Sequence, residues 1–438
     1  MKDAHVLVIH SGSSKKRFIL ETAQMRGIRV TLLNPQQNWA SEIVHKLHVC
    51  RPRTVRGLED RVRSIHAKDP VDGVLTFWEE DVPTVALCAQ RLGLRGLSPD
   101  SAWASRSKLV MRRRMAQMGL PVPAFQEVET WEDAAQFVRE HGAPAVLKPE
   151  FGADSECVVK VEDESQAQWV FDSVLGRARI QSAVYPYQRQ KFLIESYIAG
   201  PEVSVEGVVQ GGTPVFYAVI DKSPMTEPFF IERGEVTPSR LPKTAQAGIL
   251  EMVGSAVRAL GLRDCGLHAE VKLSAQGPQI VEIGARMGGD CIHGLVKAVY
   301  GVDLVEENFK VCLGAIATPT QPARCVAVSE TLVPEQSGRV VSVPDLNQWS
   351  GHDELIEVVL TAKSKSMVRI PPLGYDNLAW VSVKGRSYRE ANQALSRWVQ
   401  VLQESIQIET VHRQRVCAQH KAKHLPHSTV PTLAHAAC

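Results

Sequence analysis

The chain has 438 residues, enough for about three domains at roughly 150 residues each, which excludes a lone small binding module. Lys and Arg number 50 against 48 Asp and Glu, a formal net charge of +2, so no global field draws the chain to nucleic acid or to an anionic membrane, and ligands must be recognised locally. At 44% hydrophobic and 22% charged residues the composition is ordinary for a globular protein, neither disordered nor fibrous.

In chain order, the apolar run 6–9 is too brief for the core of a signal peptide, and no stretch approaches about 18 apolar residues, so the expected location is cytoplasmic, with no membrane contact. Residues 5–10 read as a buried strand, followed by a Ser-Gly-Ser-Ser turn, a helix over 15–26 and a second strand at 29–33. A strand at 73–78 and an apolar helix at 82–92 continue a parallel α/β unit to about residue 95. The turn after the first strand holds Gly12 but no G-x-G-x-x-G, which argues against a dinucleotide site. Ser98 and Pro99 open a helical region; the helix carrying Lys108 and Arg112 to Arg114 stops at Gly119. Those arginines, without interleaved aromatics, read as a solvated face rather than a nucleic-acid contact. A helix from the cap Thr130 to Gly142 precedes strands at 145–148, 157–161, 192–196, 203–209, 214–220, 267–273 and 279–284, with a helix over 243–261. Beyond 319–322 a mainly β region extends to about 385, and Ser387 with Glu390 forms a capping box that opens an amphipathic helix to about 407. The last 27 residues hold five histidines, four Lys or Arg and no acid, and read as a disordered tail in which metal binding is the minority reading. The nine cysteines are scattered singly, with no C-x-x-C pair and no zinc spacing, and most are expected as reduced, buried thiols.

The chemistry concentrates in the middle of the chain. If 266–273 and 279–284 pair antiparallel, alternation puts His268, Glu270 and Lys272 on one face that Glu282 can share. Two converging carboxylates suit a hard cation such as Mg²⁺ carrying phosphate oxygens, although two glutamates on a solvated face remain the alternative. Arg286 and the pair Gly288 and Gly289 follow closely; an arginine can fork onto a phosphoryl group, and glycines let the backbone approach an anion. Upstream, Lys148 ends a strand and leads into a small polar loop with Gly152 and Ser155, either a phosphate clamp or an ordinary hairpin with a solvated lysine. The stretch 192–202 joins an apolar strand to Glu195 and Glu202, with a Gly-Pro turn between; adenine needs an apolar slot, and a ribose diol suits a carboxylate.

These pieces, in this order, resemble the ATP-grasp superfamily of carboxylate–amine ligases, over roughly residues 1–410 by organisation and 108–290 by motif. The resemblance implies an α/β and α+β multidomain fold: a Rossmann-like parallel-sheet domain at 1–95, a connecting helical segment at 96–123, a flexible lid subdomain at 124–200, a central subdomain with the metal and substrate site at 201–320, a β-rich part with a closing helix at 321–410, and the tail at 411–438. It implies ATP as co-substrate with Mg²⁺ or Mn²⁺. Lys108 and Lys148 resemble the nucleotide-phosphate lysines, with Lys148 also catalytic, and the loop with Gly152 and Ser155 resembles the phosphate flap. Glu195, Tyr197 and Ile198 resemble the hinge facing adenine, Glu202 the ribose ligand, Glu270 and Glu282 the metal carboxylates, and Arg286 the catalytic arginine that steadies an acyl phosphate.

Within the superfamily, 229–239 together with the run from Glu282 to Gly289 looks most like the L-amino acid ligases that make dipeptides, so Glu232, Glu235, Arg286, Gly288 and Gly289 are expected at the amino acid substrates. Glu232 matches a residue near the amino group of the N-terminal substrate; where relatives carry His three residues on, this chain has Glu235, and a second acid there would favour a more cationic substrate, unless it is a rim residue. Two further departures stand out: the usual E-x-N after the second metal glutamate ends in Gly284, and the flap's S-x-G reads Ser155-Glu156-Cys157, which is expected to stiffen the lid. The implied reaction passes through an acyl phosphate to an amide, under a flap at 150–158 and a Tyr/Pro/Gln-rich loop near 181–190 that close over ATP. The alternatives are another ATP-grasp amine or thiol ligase or carboxylase, or a regulatory protein that binds ATP without turning it over. The expected partners are small amino acids, with no nucleic acid and no membrane; a homodimer is the expected assembly, since two-fold dimers dominate soluble oligomers.

Overall fold

The structure, a computed structural model, describes residues 1–50, 55–153, 155–173, 191–349 and 351–410. The loop near 181–190 and the His-rich tail lie outside the described residues. Four parallel strands, β1 (His5–Ile9), β2 (Arg29–Asn34), β3 (Lys46–Val49) and β4 (Gly73–Leu75), form the first sheet in the order β3-β2-β1-β4. All of β1 is buried, which is why it reads as an unbroken apolar run rather than an alternating one. The strand expected at 73–78 ends early: the Thr76 hydroxyl donates to the Ile9 carbonyl at 3.0 Å and accepts from the Trp78 amide at 3.0 Å, turning the chain so that Glu79 leaves the carboxyl end of the sheet. The helix expected at 82–92 is present as Val82–Leu92, closed by Gly93 in the left-handed region (φ 67°). The helix Val55–Lys68 was not anticipated.

The helical region expected from 98 to 119 is two helices, Pro99–Arg106 and Lys108–Gln117, broken at Ser107. Ser107 caps the second by accepting from the Val110 amide, and this puts Lys108 at the start of a helix rather than within one. A second sheet, β5 (Phe125–Val128), β6 (Ala145–Pro149), β7 (Val159–Val161) and β8 (Phe192–Ser196), is antiparallel in the order β5-β8-β6-β7. The helix Trp131–His141 packs on it, opened by a complete capping box of Thr130 and Asp133.

The remaining strands are β9 (Glu202–Gln210), β10 (Thr213–Lys222), β11 (Gly234–Thr237), β12 (Cys265–Ser274), β13 (Gly277–Gly284), β14 (Val326–Leu332), β15 (Gly338–Ser342), β16 (Leu355–Leu360), β17 (Met367–Val368), β18 (Ala379–Gly385) and β19 (Gln407–Glu409). Eight of them make one sheet in the order β13-β12-β9-β10-β11-β14-β18-β16, so a single sheet runs across position 320 through the β11–β14 pairing; β17, β15 and β19 form a small separate sheet. The helix Lys243–Leu260 covers one face of the large sheet, and Ile292–Tyr300 and Leu304–Cys312 fill the other against the N-terminal sheet's helices. The C-terminal strands bury their own core under Tyr388–Ser405. Among the described residues no helix is long and apolar enough to cross a membrane, and the seven described cysteines are free thiols.

Candidate active site

The second sheet, the large sheet and the loops of the C-terminal part enclose one cavity of about 960 Å³, and every site residue singled out in the sequence except Gly288 lines it. Gly288 lies behind the wall: its amide donates to the buried Glu206 carboxylate at 3.2 Å, and a Cβ there would sit 2.8 Å from the same carboxylate. Gly288 thus does not line the cavity, while Gly289 does.

One end is built from basic groups and the small polar loop. Lys108 sits 3.0 Å from Glu282, and its ammonium also faces the Gly152 carbonyl at 3.5 Å. Ser107 holds that corner by donating to Glu150, whose pKa burial pushes up. Lys148 is buried, not the solvated lysine of a plain hairpin; burial lowers its pKa although Glu195 lies 2.5 Å away. Glu195, expected in the hinge at adenine, is held by cations: Arg112 forks onto both of its oxygens at 2.8 and 3.1 Å, and with Lys148 it outweighs the effect of burial to hold the Glu195 pKa at about 2. Arg112 is 1% exposed and also donates to the Val281 carbonyl at 2.8 Å, so it is no part of a solvated face. The apolar slot nearby is formed by Val146, Ile198 and Val281. Tyr197 beside it donates to Glu227 at 2.8 Å, with the Lys272 ammonium 4.6 Å from its ring centre.

In the flap, Ser155 and Cys157 both take positive φ, 52° and 62°. Cys157 thus adopts the left-handed backbone that the family's glycine would take without strain, and its thiol is buried in the core of the second sheet.

At the centre, β12 and β13 pair antiparallel with Glu270 directly opposite Glu282, as the alternation requires, with a bulge after Glu270. Lys222, at the end of β10, is buried among three carboxylates, 3.0 Å from Glu202, 2.6 Å from Glu232 and 2.6 Å from Glu270. Burial opposes its charge, but the three acids raise its pKa well above the ordinary lysine value; Lys222 in turn outweighs burial to hold Glu270 far below the usual carboxylate range. Glu202, more deeply buried, is pushed up by burial first. His268 adds a further cation: its burial is outweighed by Glu206 at 2.6 Å, and its pKa rises to about 10. Oxygens of Glu202, Glu232 and Glu270 lie within 4.8 Å of one another around the Lys222 ammonium, and Glu270 with Glu282 opposite it on the next strand is a pair of hard carboxylate donors of the kind that suits Mg²⁺ or Mn²⁺.

Two groups here went unread in the sequence. Glu79 follows β4 at the carboxyl end of a parallel strand, a place where ligand contacts gather in α/β sheets, and that position was the available signal. It lies 2.5 Å from Arg286 and 3.1 Å from Arg106, and these arginines outweigh burial to hold its pKa at about 2. Its carboxylate also stands beside Gly284: a Cβ there would sit 3.0 Å from Glu79 Oε2, so a larger residue requires that carboxylate to give by a few tenths of an ångström. Lys222 gave no signal, because its partners lie on other strands.

Glu235, Asp290 and the indole of Trp380 also line the cavity. Glu235 is 6% exposed and accepts from the Ser329 hydroxyl at 3.2 Å; burial first, then Asp290 and Glu232, push its pKa up to about 8.

Three family models match in chain order: an ATP-grasp N-terminal domain over 20–96, an ATP-grasp domain over 141–294 and an L-amino acid ligase C-terminal domain 2 over 330–407. Carnosine synthase 1 of Homo sapiens is 28% identical over 348 residues, covering 74% of this chain and 41% of that protein. Alanine–anticapsin ligase of Bacillus subtilis (strain 168) is 30% identical over 258 residues, covering 56% of this chain and 54% of that protein. The chain therefore matches about half or less of the length of these relatives. The crystal structure of an L-amino acid ligase from Bacillus licheniformis superposes with a TM-score of 0.81 at 23% identity, covering 94% of this chain and 100% of that one.

Proposed function

Because the chain belongs to the ATP-grasp superfamily and carries the C-terminal domain of the L-amino acid ligases, we propose that it joins two L-amino acids into a dipeptide while converting ATP to ADP and phosphate. The observation that carries this reading is the meeting, in one cavity, of Lys108, Lys148, Glu270, Glu282 and Arg286 with an acid-lined end at Glu232.

In this reading a carboxylate oxygen of the first amino acid attacks the γ-phosphorus, the bond to the β–γ bridging oxygen breaks, ADP leaves and an acyl phosphate remains. The amine nitrogen of the second amino acid attacks the acyl carbon, phosphate departs and the nitrogen gives up a proton. Lys108 and Lys148 neutralise phosphate oxygens; each now rests on a carboxylate, Glu282 or Glu195, that the nucleotide must share or replace. Glu202 receives the ribose hydroxyls, Val146, Ile198 and Val281 the adenine, and the strand carrying Glu195 supplies backbone rather than a free carboxylate at its edge. Arg286, aimed by Glu79, faces the transferring phosphoryl group. Glu232 takes the α-ammonium of the first substrate, and Gly289 lets the second come close. When bound, Mg²⁺ or Mn²⁺ supplies charge neutralisation at the phosphates, and Glu270 and Glu282 would hold it. The flap around Gly152 and Ser155 keeps water from the acyl phosphate. Free thiols at all seven described cysteines suit a reducing cytoplasm, and we assign the enzyme there, as a homodimer.

The test is phosphate release from Mg-ATP across a matrix of paired L-amino acids, with mass spectrometry of the products. Release that needs two amino acids, with a product mass equal to their sum less water, supports the ligase. ATP binding without release in any pair, or with any other carboxylic acid, would favour the regulatory reading instead.

A further inference from the structure

We propose that Glu206 is a positioning residue of the ligase: through His268 it fixes Glu270, one of the two carboxylates assigned to the metal, and through the Gly288 amide it fixes the loop that carries Arg286 and Gly289. This rests on the ligase reading and extends it to a residue that meets neither substrate nor metal.

In the antiparallel β9–β12 ladder Glu206 stands opposite His268, Ser204 opposite Glu270 and Glu202 opposite Lys272, so these three side chains of β9 share one face with the three of β12. The β12 row lines the cavity, whereas Glu206 is 0% exposed and lies behind it. The Glu206 carboxylate divides its two oxygens. Oε1 accepts from His268 Nδ1 at 2.6 Å, and Oε2 accepts from the Gly288 amide at 3.2 Å. With Nδ1 held, the imidazole has one orientation, and its Nε2 lies 3.7 Å from Glu270 Oε1. On the other branch Gly288 sits between Arg286 and Gly289, both of which line the cavity, and its lack of a side chain lets the backbone come down onto Oε2.

Stability alone does not account for this carboxylate. A buried ion pair gains little over an apolar pair of the same size, and two residues on, Val208 fills the same face of β9 with hydrocarbon. Glu206 instead spends each oxygen on a group one step from the chemistry, the imidazole beside Glu270 and the backbone between Arg286 and Gly289. Only a carboxylate can do both. An amide has a single accepting atom, so Glu206→Gln serves either His268 or Gly288 and turns an N–H donor toward the other. The partners behind a metal-binding carboxylate set its direction, and their loss weakens the metal without removing a ligand.

The experiment uses the full chain and measures ADP binding by calorimetry with and without Mn²⁺, alongside steady-state phosphate release from Mg-ATP with an active amino acid pair. The metal's effect is read as the ratio of the two ADP affinities. Glu206→Gln should lower that ratio by about tenfold or more while metal-free ADP binding stays within about twofold of the parent, and it should raise KM for the activated amino acid by about threefold or more. His268→Gln breaks one branch and spares the other: it should lower the Mn²⁺ ratio to a similar degree with the amino acid KM within about twofold of the parent, and it carries the test if Glu206→Gln fails to fold. A ratio unmoved in both variants, or metal-free ADP binding lost along with it as a merely structural pair requires, would overturn the inference and leave the ligase standing. No release by the parent protein from any amino acid pair would overturn the ligase reading itself.

Discussion

Glu79, just after β4, lies 2.5 Å from Arg286, in the loop after β13, so a residue of the N-terminal sheet aims a guanidinium of the central one. Removing Arg286 as Arg286→Ala should reduce kcat by about 10²–10³-fold, the scale for losing a charge-stabilising donor in a dry site. Glu79→Gln leaves the arginine in place but takes away its anchor; kcat should fall by about tenfold or more, and thermal unfolding should show a loss of about 3–5 kcal/mol from uncompensated Arg106 and Arg286. A Glu79→Gln enzyme with unchanged kcat would mean that Arg286 is oriented by something else.

Gly284→Asn restores the family's residue in name, but its Cβ would come within 3.0 Å of the Glu79 carboxylate. The variant should lose about 1–3 kcal/mol of stability without gaining metal affinity. Much of that loss should vanish in a Glu79→Ala background, which a double-mutant cycle in denaturant would register; strictly additive losses would contradict the contact.

Lys222 occupies the centre of three carboxylates that could themselves hold a cation. In Lys222→Met those acids repel one another, so the nucleotide-free protein should bind Mn²⁺ about tenfold or more tightly than the parent by calorimetry, while KM for ATP rises. Unfolding without metal should come several kcal/mol earlier, and added Mn²⁺ should recover part of the loss. Equal Mn²⁺ affinity in the two proteins would remove Lys222 from the cation site.

Glu235 gives a pH signature. Its pKa is about 8 in the folded protein against 4.5 unfolded, so the folded state holds the extra proton between these values, and stability falls as pH rises through that window. Glu235→Gln lacks this term. Its stability should therefore decline less than the parent's between pH 5 and pH 8, by a margin on the order of 3–5 kcal/mol in ligand-free unfolding curves. His268, raised to about 10, adds a loss above its unfolded 6.5 in both proteins and cancels from the comparison. Parallel curves for the two proteins would refute the assignment.

Cys157 carries a backbone φ of 62° and a buried side chain at once. Cys157→Gly loses the thiol's packing but relieves about 1 kcal/mol of strain, whereas Cys157→Ala loses packing and keeps the strain. Melting temperatures should rank alanine below glycine, and the reverse order would show that the flap is unstrained.

Local signals carried much of this structure and long-range pairings the rest. Period-two alternation put Glu270 on a face that Glu282 could share, and the apolar run marked Val82–Leu92 to the residue. Ser387 does cap the last helix, though Glu390 returns to the Arg386 amide rather than to the cap itself. Ile292–Tyr300 and Leu304–Cys312 escaped notice because each is only nine residues, too short for the apolar period to separate a helix from a strand. Val55–Lys68 is rich in basic residues and low in apolar ones, so tertiary packing of Leu58, Val62 and Ile65 decides it. Glu195 and Arg112 illustrate the limit within the site: their types were legible, but 83 positions separate two side chains that bond only after both sheets have formed.

That same Arg112 ties two sheets together. One edge of its guanidinium grips Glu195 on β8, and Nη2 also grips the Val281 carbonyl on β13. The second sheet and the large sheet are thus pinned to one rigid plane, a rivet in the wall of the cavity they share.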